Sequence, residues 1–213
     1  MGLSSRLNID VLGTSQRNNG TAVVLAHGAG QGKDSPFMTY FYRELAERGF
    51  LSVTFNFEYI DLKRRVPDSQ PKLQARYREV VDSVLTEYQP RRLIIGGKSM
   101  GGRVASYIAA TANGVSGLVF LGYPLHPPGK TDQLRDEHLY SLKLPMLFIS
   151  GTKDTFAQGD LLDRVVRKIG SHATLEWIEG GDHSLKRGRK DSESLKLAAD
   201  RIQEWASAGL GNR

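Results

Sequence analysis

The chain has 213 residues, 39% of them hydrophobic and 24% charged, with a formal net charge of +6 and no cysteine. This is enough apolar content for a single sizeable core, and the missing cysteines exclude disulfides and thiolate metal sites. No apolar run approaches the roughly 20 residues of a membrane span and no nucleic-acid motif accompanies the basic residues, so neither a membrane nor nucleic acid is an expected partner.

The opening MGLSSRLNID has no apolar h-region, so no signal peptide is expected. Arg6 stands where an N-myristoylation pattern needs Ser or Thr. The cytoplasm is the expected location. Residues 7–12 suit an edge strand, and 22–26 (AVVLA) a buried one. Ser35-Pro36 reads as an N-cap with proline at the first helical position. Phe37, Phe41 and Leu45 then share one helical face, and Gly49 stops the helix. Leu51, Val53, Phe55 and Phe57 alternate through the next strand. After a polar loop with Pro67 and Pro71, Leu73, Tyr77, Val80, Val84 and Tyr88 make a helical stripe that Pro90 closes.

Leu93, Ile94 and Ile95 are again a short buried strand, and 100–112 reads as a helix rich in small residues. Between them lies Gly97-Lys98-Ser99-Met100-Gly101, a G-x-S-x-G pattern. The five letters alone are unspecific, and a Gly-Ser turn without chemistry is the plainer reading. A buried strand before and a helix after are the context of a nucleophile elbow, in which a strained turn presents the serine. Further strands are expected at 118–121, 145–150 and 175–178. Helices are expected at 161–169 and along the stripe Leu195, Ala199, Ile202 and Trp205. The 125–143 connection is the one long irregular stretch, with room for a short helix. The strand–helix alternation predicts one α/β domain over 1–213: a mostly parallel sheet with helices on both faces. No insertion is long enough for a large cap.

Ligands of such sheets bind beyond the carboxyl ends of the strands. Three further places fall there. His27-Gly28-Ala29-Gly30 follows AVVLA, Asp154 follows PMLFIS, and His183 follows LEWIE. Ser99, Asp154 and His183 stand in the Ser…Asp…His order of the α/β-hydrolases. A serine hydroxyl needs a base, here His183, and the base needs an orienting carboxylate, here Asp154. Asp182 is the rival acid, but as the sequence neighbour of His183 it is badly placed to reach the ring. The backbone N–H groups of Ala29 and Met100 are the expected oxyanion donors. His27 is read as a structural hydrogen-bonder of its loop, not a second base, and is counted with the residues that line the substrate site. Tyr123, Leu125 and His126 are expected to line the substrate pocket, with Tyr59 closing the opposite side.

These stretches carry a resemblance. With Phe55-Asn56-Phe57, Tyr59, the run 96–103 (GGKSMGGR), the run 122–130 (GYPLHPPGK) and 151–154 (GTKD), the chain resembles the α/β-hydrolase superfamily in its small, cap-less, dienelactone-hydrolase-like branch. It is similar to the group that includes testis-expressed protein 30 and the hydrolase-like domain of nonspecific-lethal complex subunit 3. The resemblance implies a triad fold and leaves the substrate open; no metal or cofactor is expected. The expected activity is hydrolysis of a small carboxylic ester or thioester through an acyl-enzyme. A non-catalytic binding or scaffold protein and an acyltransferase are the alternatives. The basic residues cluster at 63–65, 91–92 and 186–190. Solvated surface is the plain reading, and steering of an anionic substrate by 186–190 the sharper one.

Overall fold

The computed structural model describes residues 7–13 and 20–209. Residues 1–6, with Arg6, lie outside the described residues. The elements, in chain order, are β1 (Ile9–Leu12), β2 (Thr21–Ala26), α1 (Pro36–Glu47), β3 (Leu51–Phe55), α2 (Glu58–Asp61), α3 (Gln70–Tyr88), β4 (Arg92–Lys98), α4 (Met100–Ala109), β5 (Val115–Leu121), β6 (Met146–Gly151), α5 (Gly159–Ile169), β7 (Ala173–Ile178) and α6 (Glu193–Gly209).

Among the described residues the strands form one seven-stranded sheet in the order β1-β3-β2-β4-β5-β6-β7. Only β1 is antiparallel, pairing Ile9 with Phe55 and Leu12 with Ser52. All of β2 and β3 is buried because helices cover both faces. Successive residues alternate between two cores. Ala22, Val24, Leu93 and Ile95 pack with α3, α4 and α5 on one face. Val23, Leu25 and Ile94 pack with α1 and α6 on the other. Ser35 caps α1 by accepting the Met38 N–H at 3.4 Å, with Pro36 at the first helical position.

Strand order reverses between β2 and β4, since β3 lies outward of β2 while β5 to β7 continue beyond β4. This switch point opens a crevice at the carboxyl ends of β2 and β4. Tyr77 of α3 ties it from below. Its buried hydroxyl lies 2.9 Å from Val24 O and 2.7 Å from Gly96 O, and accepts the Gly96 N–H at 2.9 Å.

The structure departs from the sequence expectations at element ends. β3 stops at Phe55, and Phe57 is the extended residue before α2, a short helix inside the polar loop. α4 stops at Ala109; the N–H groups of Thr111 and Ala112 both close on Ile108 O, and the chain turns at Gly114 (φ 77°). The 125–143 connection is irregular apart from a 3₁₀ turn at Glu137–Ser141, and no connection carries a large cap. Among the described residues no helix is long and apolar enough to cross a membrane.

Candidate active site

Ser99 lies between β4 and α4 with φ 50° and ψ −115°. A serine at positive φ is strained, and the surrounding bonds hold it there. Its N–H donates to Leu121 O at 3.2 Å, and its carbonyl accepts the Arg103 N–H at 3.1 Å. The flanking glycines are required by close approach. A Cβ on Gly97 would lie 2.2 Å from Ala26 O, and one on Gly101 2.3 Å from the same atom. β2 therefore runs directly beneath the turn.

The chain brings Ser99, His183 and Asp154 together from the ends of β4, β7 and β6. His183 Nε2 lies 2.9 Å from Ser99 Oγ. His183 Nδ1 lies 2.9 and 2.8 Å from the two Asp154 carboxylate oxygens. The acceptor-only carboxylate fixes the neutral ring with its proton on Nδ1, which leaves the Nε2 lone pair facing the hydroxyl. The Asp154 side chain has no solvent exposure, while His183 retains 20%. Asp154 also accepts the Phe156 N–H at 2.8 Å. Asp182 does different work. Its carboxylate accepts the N–H groups of Ser184 (2.7 Å) and Lys186 (3.1 Å), which shapes the turn beneath His183.

The loop 27–33, which carries Ala29, is pinned by the segment after β3. Phe57 N–H donates to His27 Nε2 at 3.1 Å. Gly30 N–H donates to the Tyr59 hydroxyl at 3.1 Å. Lys33 N–H donates to Asn56 Oδ1 at 2.8 Å. His27 is fully buried, and its Nδ1 lies 2.8 Å from Gly28 O, so both ring nitrogens are spent on backbone. Burial pulls its pKa down to about 4, against smaller opposing effects of Gly28 O and Asp61. Ala29 is exposed on this loop, and Met100 occupies the first position of α4, where helix N–H groups lack intrahelical acceptors.

The expected pocket residues are placed differently from the sequence reading. His27, Tyr59, Tyr123, Leu125 and His126 are all at most 2% exposed. Tyr123 donates its phenol to Arg135 O at 2.7 Å. His126 accepts the Gln158 N–H at 3.2 Å on Nε2 and sets Nδ1 2.9 Å from Pro127 O. These side chains brace the loops that border the crevice instead of facing into it. For the two tyrosines and two histidines the physical reason is that their polar atoms satisfy loop backbone that would otherwise be buried without partners, while Leu125 packs in the apolar core.

Three residues at the site were given no role of their own in the sequence reading. Lys98 is 6% exposed, and its ammonium donates to the His183 carbonyl. Burial brings its pKa down to about 8, against the pull of Asp154 and Asp182. Its position as the variable residue of G-x-S-x-G was the available signal. Phe156 lays its ring against His183, with centroids 4.4 Å apart. Gly122 has φ 69°, and a Cβ there would lie 2.7 Å from His183 O. Among the described residues no group of three or more His, Asp or Glu side chains is arranged to hold a metal ion. In the basic run, Arg187 pairs with Asp191 at 3.2 Å and Glu193 at 3.4 Å.

Comparison with solved structures returns the same fold. An alpha-beta serine hydrolase homologue from Coxiella burnetii superposes with a TM-score of 0.74 at 18% identity, over 91% of this chain and 90% of that one. A serine hydrolase without a lid from Xanthomonas campestris gives 0.72 at 19% identity, over 92% and 87%. Dienelactone hydrolase from Anabaena variabilis gives 0.72 at 21% identity, over 93% and 90%. At these identities the likeness establishes architecture. Residues 19–208 match the family model described as alpha/beta hydrolase domain, and the chain belongs to that family.

Proposed function

We propose that the protein is a serine hydrolase that cleaves small carboxylic esters or thioesters through an acyl-enzyme. The observation that carries this reading is the Ser99–His183–Asp154 relay, with its two hydrogen-bonded links of 2.9 and 2.8 Å. Ser99 Oγ attacks the acyl carbon while its proton passes to His183 Nε2. The negative oxygen of the tetrahedral intermediate is held by the N–H groups of Ala29 and Met100. The intermediate collapses, and His183 protonates the departing alcohol or thiol. Water then attacks the acyl-Ser99 ester with His183 as base, releasing the acid and restoring the hydroxyl. Asp154 keeps the imidazole in the working tautomer and stabilises the imidazolium. The G-x-S-x-G context, the strained φ of Ser99 and the family membership support the same assignment.

The acyl group is short. Leu125, Leu139 and Leu142 of the 125–143 connection are turned into the core, which leaves Leu134 as the segment's one exposed large aliphatic side chain and no extended apolar wall for a long chain. Each buried CH₂ contributes about 0.8 kcal/mol, and a deep tunnel would make kcat/KM climb steadily with chain length. For p-nitrophenyl esters, kcat/KM is expected to be best from acetyl to butyryl and poor for decanoyl and longer chains. A profile still rising at dodecanoyl would contradict the shallow site. Absence of turnover across the whole panel would contradict the hydrolase reading.

A further inference from the structure

Two arginines, one on the helix that follows the nucleophile and one on the 125–143 connection, have no role in the chemistry above. Arg103 sits one turn into α4, with its N–H on Ser99 O. Helical side chains lean back toward the helix N-terminus, and the groups that feel this guanidinium are Arg135, His138 and Tyr123. Arg135 comes from the 125–143 connection and is firmly seated. Its N–H donates to Leu125 O at 2.8 Å, its carbonyl accepts the Tyr123 phenol at 2.7 Å, and Nη1 donates to Pro124 O at 3.3 Å. Pro124 lies two residues beyond Gly122, which itself abuts His183.

The two guanidiniums feel each other. Burial first, and then the charge of Arg103, push the Arg135 pKa down. No carboxylate among the described residues forms an ion pair with either of them. Asp136, the nearest in sequence, is turned to the Tyr140 hydroxyl instead. Arg103 Nε is buried and has no acceptor among the described residues. Buried N–H groups almost always have an acceptor, and two like charges held together without an anion repel. His138 completes the wall, stacked on Tyr107 at 4.0 Å with Nε2 2.8 Å from Ser106 Oγ. Burial and then Arg103 hold its pKa down to about 4, so it remains neutral beside the pair.

We propose that Arg103 and Arg135 form a subsite for an anionic group, a carboxylate or a phosphate, carried by the substrate of Ser99. The planar fork of a guanidinium matches both groups through paired N–H donors. Resting on the serine-hydrolase reading, this narrows the substrate class to acidic esters or thioesters, such as half-esters of a short dicarboxylic acid or phosphorylated acyl derivatives. It also fits a short acyl pocket, because a basic wall binds a charged terminus in place of a longer alkyl chain.

The test compares p-nitrophenyl butyrate, mono-p-nitrophenyl glutarate and the p-nitrophenyl ester of 4-phosphonobutyrate on the wild type, Arg103→Met and Arg135→Met, with thermal melting to confirm folding. The ratio of kcat/KM for an anionic ester to that for butyrate should fall about tenfold in each variant, mainly through KM. Whether the glutarate or the phosphonate ratio falls further identifies the anion. Arg103→Lys should recover only part of the ratio, because it keeps the charge and loses the fork. An unchanged ratio in both methionine variants would overturn the subsite. If the wild type turns over none of the esters, the hydrolase reading fails, and calorimetric titration with glutarate and with inorganic phosphate reads the subsite alone. Saturable binding weakened about tenfold by Arg103→Met supports it, and no saturable binding to the wild type overturns it.

Discussion

Asp182 is the covalent neighbour of His183, yet the imidazole turns to Asp154, 29 positions away in the chain. A side chain adjacent on a turn cannot easily bend back to the ring edge, whereas one rising from the next strand meets it directly. The two carboxylates therefore predict opposite outcomes. Asp154→Asn should lower kcat by roughly 10³–10⁴ through loss of the working tautomer. Asp182→Asn should cost far less, because it loosens a turn that Leu185 still anchors in the core. Steady-state kinetics on both variants checks this, and a crippled Asp182→Asn beside an active Asp154→Asn would reverse the roles. Ser99, Asp154 and His183 could be picked from the sequence because each stands in the connection that follows a strand of the parallel sheet. The expected pocket residues could not be resolved in this way. Loops and single-turn helices have no periodicity, so the sequence assigned Tyr59, Tyr123, Leu125 and His126 to the carboxyl edge of the sheet without saying that their side chains are buried. Arg103 and Arg135 were unreadable as a pair, since only the folded connection brings them together.

At the scale of elements, the loop 27–33 and the segment 56–59 act as one unit. Asn56, Phe57 and Tyr59 each fix one atom of the loop that presents Ala29. Tyr59→Phe deletes the acceptor of the Gly30 N–H and leaves the packing of the ring against His27. If Ala29 serves the oxyanion, this loosening acts on the transition state more than on bound substrate. The expected result is a drop of about tenfold in kcat with KM changed little, since one oxyanion donor is worth 10²–10³ and is here displaced, not removed. A rise in KM at constant kcat would instead place Tyr59 against the substrate. Strand–helix alternation was plain from the apolar runs, but its boundaries were not. β5 begins at Val115 because Ser116 Oγ accepts the Leu93 N–H at 3.1 Å, where the β4–β5 register shifts. A polar residue there reads as loop until its strand partner is known. α2 was hidden for a similar reason: its Tyr59 N–H is held by the distant Asp68 carboxylate at 3.0 Å, a tertiary bond.

For the whole molecule, the buried histidines couple stability to acid. His27 has a folded pKa of about 4 against 6.5 for the free side chain. Between these values the unfolded chain binds a proton that the folded one refuses, so stability is lost as pH falls from 6.5 toward 4. The shift corresponds to roughly 3 kcal/mol, and His138 acts in the same direction. Urea midpoints should drop across this window in the wild type and more shallowly in His27→Gln, whose longer side chain carries an amide oxygen to the place of Nε2, where it can still accept the Phe57 N–H. Parallel curves would remove His27 from the acid response.

The central claim is that Ser99 is a nucleophile activated through His183. A fluorophosphonate probe tests it most directly, because it phosphonylates a serine only when that serine is activated. Intact mass and peptide mapping of the probe-treated wild type should show one adduct, on the peptide that contains Ser99. Ser99→Ala should melt as a folded protein and take up no probe. An unlabelled wild type, or undiminished labelling of Ser99→Ala, would contradict the account.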